Sequence, residues 1–211
     1  MKKVVGTTVT AVALAAMLAG CAHHRKHVAR APAPKTTKAR QSHAVAMPAG
    51  GRPGMAIPAR LADGSYRTPN HAVSGPIAVW HLRAGLNVAA LACRGGEQAA
   101  IVKRYNALLS RQKTSFSQAQ SALASQYRAG GGNWQARQDD AMTRLYNYFS
   151  QDFARAAFCA RAAQVLERAD GVAPAAFPGF ASKELAALDQ PFVEFFRAYD
   201  AWRTQGKSQS H

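Results

Sequence analysis

The sequence predicts an all-α domain, a helical bundle with two long helices and several short ones, preceded by a disordered basic tether. Three observations predict it. Apolar residues recur at helical spacing over two long stretches, with Val102, Leu109, Phe116 and Leu123 in the first and Met142, Leu145, Phe149 and Phe153 in the second. Phe192, Phe195, Phe196, Tyr199 and Trp202 repeat at steps of three and four near the C-terminus. Upstream, Pro32, Pro34, Pro48, Pro53, Pro58 and Pro69 stand in a segment poor in aliphatic side chains, which prevents helices and starves a core. A chain of 211 residues accommodates one such domain and a tail. After the N-terminus no apolar run reaches the roughly 18 residues of a spanning helix, which excludes a polytopic membrane protein.

The N-terminus reads as an export signal over residues 1–20. Met1-Lys2-Lys3 is cationic, Val4 to Leu18 carries no charge, and the run closes on small residues. Its end, Leu18-Ala19-Gly20-Cys21, resembles the lipobox of bacterial lipoproteins. The resemblance implies diacylglycerol on the Cys21 sulfur, cleavage before Cys21 and acylation of the new amino group. Several acyl chains anchor firmly, because each buried CH₂ adds about 0.8 kcal/mol. Residue 22 is Ala and not Asp, which by the same resemblance implies transfer to the outer membrane. The first expected partner is therefore a membrane, reached through the lipid anchor.

Residues 21–73 read as the tether. It holds nine Lys and Arg and one acid, Asp63, whereas residues 74–211 hold sixteen and ten. Arg25, Lys26, Arg30, Lys35, Lys38 and Arg40 lie nearest the anchor and are expected to meet anionic cell-envelope surfaces, each contributing about 1 kcal/mol near such a surface. The export signal and the scarcity of aromatic residues among these cations argue against nucleic acid as a partner. His23, His24 and His27 are interrupted by Arg25 and Lys26 with no carboxylate nearby, so no metal site is expected.

In the domain, residues 74–211, Leu86, Ala90 and Cys93 suit a helix, while Leu86, Val88, Ala90 and Ala92 alternate as in a strand. Alanine content and length favour a short buried helix ended by Gly95-Gly96. The seven-residue stripe predicts a long helix over Glu97 to Arg128, stopped by Gly130-Gly131-Gly132. A second long helix is predicted over Trp134 to Ala169, with Asp139 and Asp140 near its start and Arg161 and Arg168 near its end, as the helix dipole favours. Gly171, Pro174, Pro178 and Gly179 predict a loop, Ser182 a cap for a short helix to Leu188, and Pro191 the first turn of a last helix.

Lipidation of Cys21 leaves Cys93 and Cys159, and an even pair in an oxidising compartment predicts a disulfide. The rival role, a thiol nucleophile, requires a nearby base, and His81 is the one imidazole in the body of the domain.

No G-x-S-x-G, H-E-x-x-H, Walker loop or C-x-x-C occurs, and Gly206-Lys207-Ser208 copies only the end of a phosphate loop. No catalytic residue and no cofactor is therefore assigned. Trp80 to Leu91, with Phe158-Cys159, resembles a pattern in exported alphaproteobacterial proteins, and that resemblance implies no activity. The expectation is an outer-membrane lipoprotein facing the periplasm, whose disulfide-stabilised helical domain binds another envelope component, a protein or peptidoglycan. The alternative is a cell-wall glycan hydrolase with paired carboxylates drawn from Glu97, Asp139, Asp140, Asp152, Glu167 and Glu194.

Overall fold

In a computed structural model, which describes residues 45–208 and side chains through 205, five helices surround a sixth. The central one is α1, Gly75–Ala92, and it packs on α2 (Gln98–Arg111), α3 (Lys113–Ala129), α4 (Trp134–Phe149), α5 (Arg155–Ala169) and α6 (Phe177–Ser208). Only Pro76 and Leu91, near its two ends, are exposed. Ala78, Val79, Leu82, Ala84, Leu86, Val88 and Ala89 are buried over its wider side, and Trp80, Arg83, Asn87 and Ala90 on the remaining side are half-buried. With only Arg83 and Asn87 as polar residues on its half-buried face, α1 has too narrow a polar stripe to mark its period clearly, which is why Leu86 to Ala92 also alternates as a strand would.

The two long predicted helices are each broken, and the two short ones are joined. Between α2 and α3 the chain turns at Gln112, which is fully buried. Its amide is satisfied: Nε2 donates to the Val172 carbonyl at 2.8 Å and Oε1 accepts from Ser115 Oγ at 3.2 Å. Across this turn the buried face shifts by one position, so Ile101, Tyr105 and Leu108 are inside while Val102 and Leu109 are half-buried. Phe116 and Leu123 are buried as the stripe predicts.

The second predicted long helix breaks at residues 150–154 without a Gly or Pro. Gln151 is extended and Asp152–Ala154 form a 3-10 turn, while Ser150 Oγ donates to the Tyr146 carbonyl at 2.8 Å. The break places Phe153 parallel to Phe195, with ring centroids 3.9 Å apart.

Conversely, α6 runs 32 residues through Pro191. A proline inside a helix costs about 3 kcal/mol. Phe192, Phe196 and Tyr199 just beyond it are buried, and burying each large side chain returns roughly 2–3 kcal/mol, so packing wins. Ser182 does not cap: its hydroxyl donates to the Pro178 carbonyl one turn back, at 3.1 Å.

The expectation of a disordered tether up to residue 73 fails for residues 45–73. They are free of helices, as their prolines require, but they belong to the same compact unit as the bundle. The segment lies along α6. Val45 N–H donates to Gln205 Oε1 at 2.7 Å, and the Tyr199 hydroxyl donates to the Arg52 carbonyl while accepting from Met55 N–H. An isolated antiparallel bridge joins Arg60 to Tyr66. Tyr66, Thr68 and Asn70 are then buried while Arg67 is exposed, the two-residue alternation of an extended chain. The Tyr66 hydroxyl donates to Asp200 Oδ2 at 2.5 Å. No described helix is long and apolar enough to cross a membrane.

Cys93, just past α1, is bonded to Cys159 of α5, with Cα atoms 5.7 Å apart, as the cysteine count predicts. The bridge closes 66 residues of chain, and loop-closure entropy alone then contributes about 4 kcal/mol. The double variant C93S/C159S should lose about 2–4 kcal/mol in urea unfolding, and an unchanged midpoint would show that the bridge adds no stability.

Gly85 marks the closest packing of α1: a Cβ there would meet Leu188 Cδ2 at 2.7 Å and the Phe149 ring at 3.0 Å. Both neighbours are fully buried and have no room to withdraw. Overpacking of this kind costs about 1–3 kcal/mol, against a helix-propensity gain of about 1 kcal/mol. Gly85→Ala should therefore destabilise by up to about 2 kcal/mol in equilibrium unfolding, and a stabilised variant would contradict this contact.

Candidate functional site

Three buried polar side chains, Thr68, Asn70 and His81, gather with the half-buried Asp189 where α1, α6 and the extended segment meet. Asp189, two residues before Pro191 on α6, accepts from Asn70 Nδ2 at 2.7 Å and from Thr68 Oγ1 at 3.2 Å. Thr68 Oγ1 in turn accepts from the Asn70 backbone N–H at 3.2 Å, which holds the two donors in one turn. Burial pushes the Asp189 carboxyl up, against the opposite pull of the hydrogen bonds from Asn70 and Thr68. The same carboxylate, after burial itself, raises the neighbouring Tyr148 phenol.

Asn70 carries the orientation onward. Asn70 presents its NH₂ to Asp189 Oδ1 at 2.7 Å and its Oδ1 to His81 Nδ1, 3.0 Å away. Because Oδ1 also accepts, this network assigns the imidazole proton to Nδ1. His81 is 7% exposed, and burial lowers its pKa to about 4, so the ring is neutral at pH 7. Nε2 makes no hydrogen bond among the described residues, and with the proton on Nδ1 it is left as an acceptor.

His81 lines a cavity of about 320 Å³ with Arg67, Thr68, Tyr127, Met142 and Arg144. The cavity thus takes walls from the extended segment, α1, α3 and α4. Arg67 and Arg144 are exposed, their guanidiniums make no ion pair or hydrogen bond among the described residues, and no acid lines the space. Thr68 is committed to Asp189, which leaves no activated nucleophile on the wall. A base with a pKa of about 4 is weak at neutral pH. The arrangement is suited to accepting a hydrogen bond from a ligand whose charge the two guanidiniums meet.

Cys93 and Cys159 line a second cavity, about 540 Å³, with Ile101, Glu97, Asp152 and Arg155. Glu97 and Asp152 are the two expected carboxylates that share a cavity among the described residues. Arg155 bonds to Asp152 and holds its carboxyl low, the reverse of what a general acid requires. Asp139, Asp140, Glu167 and Glu194 are exposed on helices. The most buried acid, Glu184, is held by Arg168 through contacts of 3.1 and 2.5 Å.

Cys21 and the tether cations Arg25, Lys26, Arg30, Lys35, Lys38 and Arg40 lie outside the described residues, as do His23, His24 and His27. Among the described residues no three or more His, Cys, Asp or Glu converge to hold a metal. Sequence reading isolates His81 as the lone imidazole of the domain, but it misses Thr68, Asn70 and Asp189. The available signal is the turn-forming Thr68-Pro69-Asn70, two residues beyond the aromatic Tyr66. No protein-family model, curated protein or solved structure matches the chain.

The buried imidazole makes stability depend on pH. Native His81 takes up its proton near pH 4, whereas in the unfolded chain it does so near 6.5. Between these values only the unfolded state gains the proton, so His81 withdraws stability as pH falls, by about 3 kcal/mol at the acid end. Asp189 acts in the opposite sense, because its raised carboxyl makes the native state the better proton binder. Urea unfolding of the protein and of H81Q from pH 7.5 to 4 separates the two. The stability of the protein relative to H81Q should fall by about 3 kcal/mol on acidification, and a constant difference would refute the buried neutral ring.

Proposed function

We propose that the chain is a lipoprotein of the outer membrane that presents its disulfide-stabilised helical domain to the periplasm and there binds another cell-envelope component. The observation that carries this reading is the uncharged run Val4 to Leu18 closed by Leu18-Ala19-Gly20-Cys21. The Cys93–Cys159 bond agrees with an oxidising compartment. Binding, not turnover, is supported by the cavity at His81, where an acceptor and two cations unpaired among the described residues stand without an activated nucleophile. The cations from Arg25 to Arg40 would hold the anchored end against anionic headgroups.

Metabolic labelling with palmitate tests the anchor. The protein should carry label and fractionate with the outer membrane, and Cys21→Ser should lose both. An unlabelled soluble protein that keeps residues 1–20 would overturn the reading.

A further inference from the structure

We propose that the cavity between Arg67, His81, Tyr127 and Arg144 is a binding site for an anionic sugar, a saccharide unit bearing a carboxylate or a phosphate. The chain Asp189–Asn70–His81 fixes the imidazole as a donor on its Nδ1 side and an acceptor on its Nε2 side. Nε2 belongs to a side chain that is 7% exposed and borders the cavity, and no described group uses it. A ligand that fills the cavity covers this acceptor, so the site selects one with a hydrogen to donate, because an apolar or purely accepting ligand would bury it unpaired. A sugar hydroxyl is such a donor.

The charge comes from the rim. Arg67 and Arg144 reach the same space from the extended segment and from α4, and neither is neutralised among the described residues. A guanidinium presents paired donors to carboxylate or phosphate oxygens. The half-buried ring of Tyr127 and the Met142 side chain complete an apolar wall of the kind that lies against sugar C–H groups. At about 320 Å³ the cavity is at the small end of the ligand range, roughly 300–1,000 Å³, which fits one sugar unit. Hydroxyl recognition, anion recognition and size therefore converge on one ligand class.

The inference deepens the reading of the domain as a binding module, and the two can fail separately. Loss of palmitate labelling with intact sugar binding would remove the anchor alone. Retained labelling without sugar binding would remove the site alone.

The full-length chain is titrated with N-acetylmuramic acid, glucose 1-phosphate, N-acetylglucosamine and inorganic phosphate, while the His81 ring nitrogens are followed by NMR. The two anionic sugars should move the Nε2 resonance, and their relative affinities decide between carboxylate and phosphate. The double variant R67A/R144A changes two exposed side chains and should keep its circular dichroism spectrum while binding these sugars at least about tenfold more weakly. Inorganic phosphate should bind more weakly than either sugar and leave Nε2 unmoved. No response to either anionic sugar at 20 mM, or equal affinity for N-acetylglucosamine, would overturn the proposal, as would binding that R67A/R144A leaves unchanged.

Discussion

An eighteen-residue helix that buries half of its residues and leaves only Pro76 and Leu91 exposed must be covered on most sides, and the rest of the fold follows from covering α1. Two of the neighbouring runs are broken beside it, while α6 stays continuous. The chain turns at Gln112 between α2 and α3, and at residues 150–154 between α4 and α5. Gly85 lets Leu188 and Phe149 approach the α1 backbone closely. The disulfide then joins the far end of α1 to α5, so the central helix is tied covalently to the layer that covers it.

Enclosure also determines where polarity is tolerated. His81 is the buried polar side chain of α1, and a buried imidazole must find a partner. Nearby helices offer backbone groups already used in their own ladders. The partner comes instead from Asn70, in a segment with no helical ladder, and Asn70 is in turn oriented by Asp189. An isolated buried carboxylate would be costly, and its two donors, Thr68 and Asn70, hold the extended segment against α6.

What the sequence makes legible follows from these same constraints. Helical content is readable because α2 to α6 each keep one wet face. The breaks are not, because Gln112 is a polar residue that turns inward onto Val172, and residues 150–154 contain no breaker. Pro191 misleads in the opposite direction: local preference favours a helix start there, and the aromatic packing beyond it carries α6 straight through. Cys93 and Cys159 are legible as a pair by counting alone, while the Asp189–Asn70–His81 chain joins residues up to 119 positions apart and leaves no local trace.

The segment before α1 shows most clearly how composition misleads. Tyr66-Arg67-Thr68-Pro69-Asn70 has one apolar aromatic among polar and proline residues, so a hydrophobic pattern cannot report its alternation. Yet an extended chain sends successive side chains to opposite sides. Once Tyr66, Thr68 and Asn70 are bound inward to Asp200 and Asp189, Arg67 has to face outward. That outward direction is the rim of the cavity that His81 borders from within. Docking the segment and placing a cation beside the imidazole are thus one event, so a change that frees residues 66–70 from α6 removes the Asn70 contact and Arg67 from the cavity together.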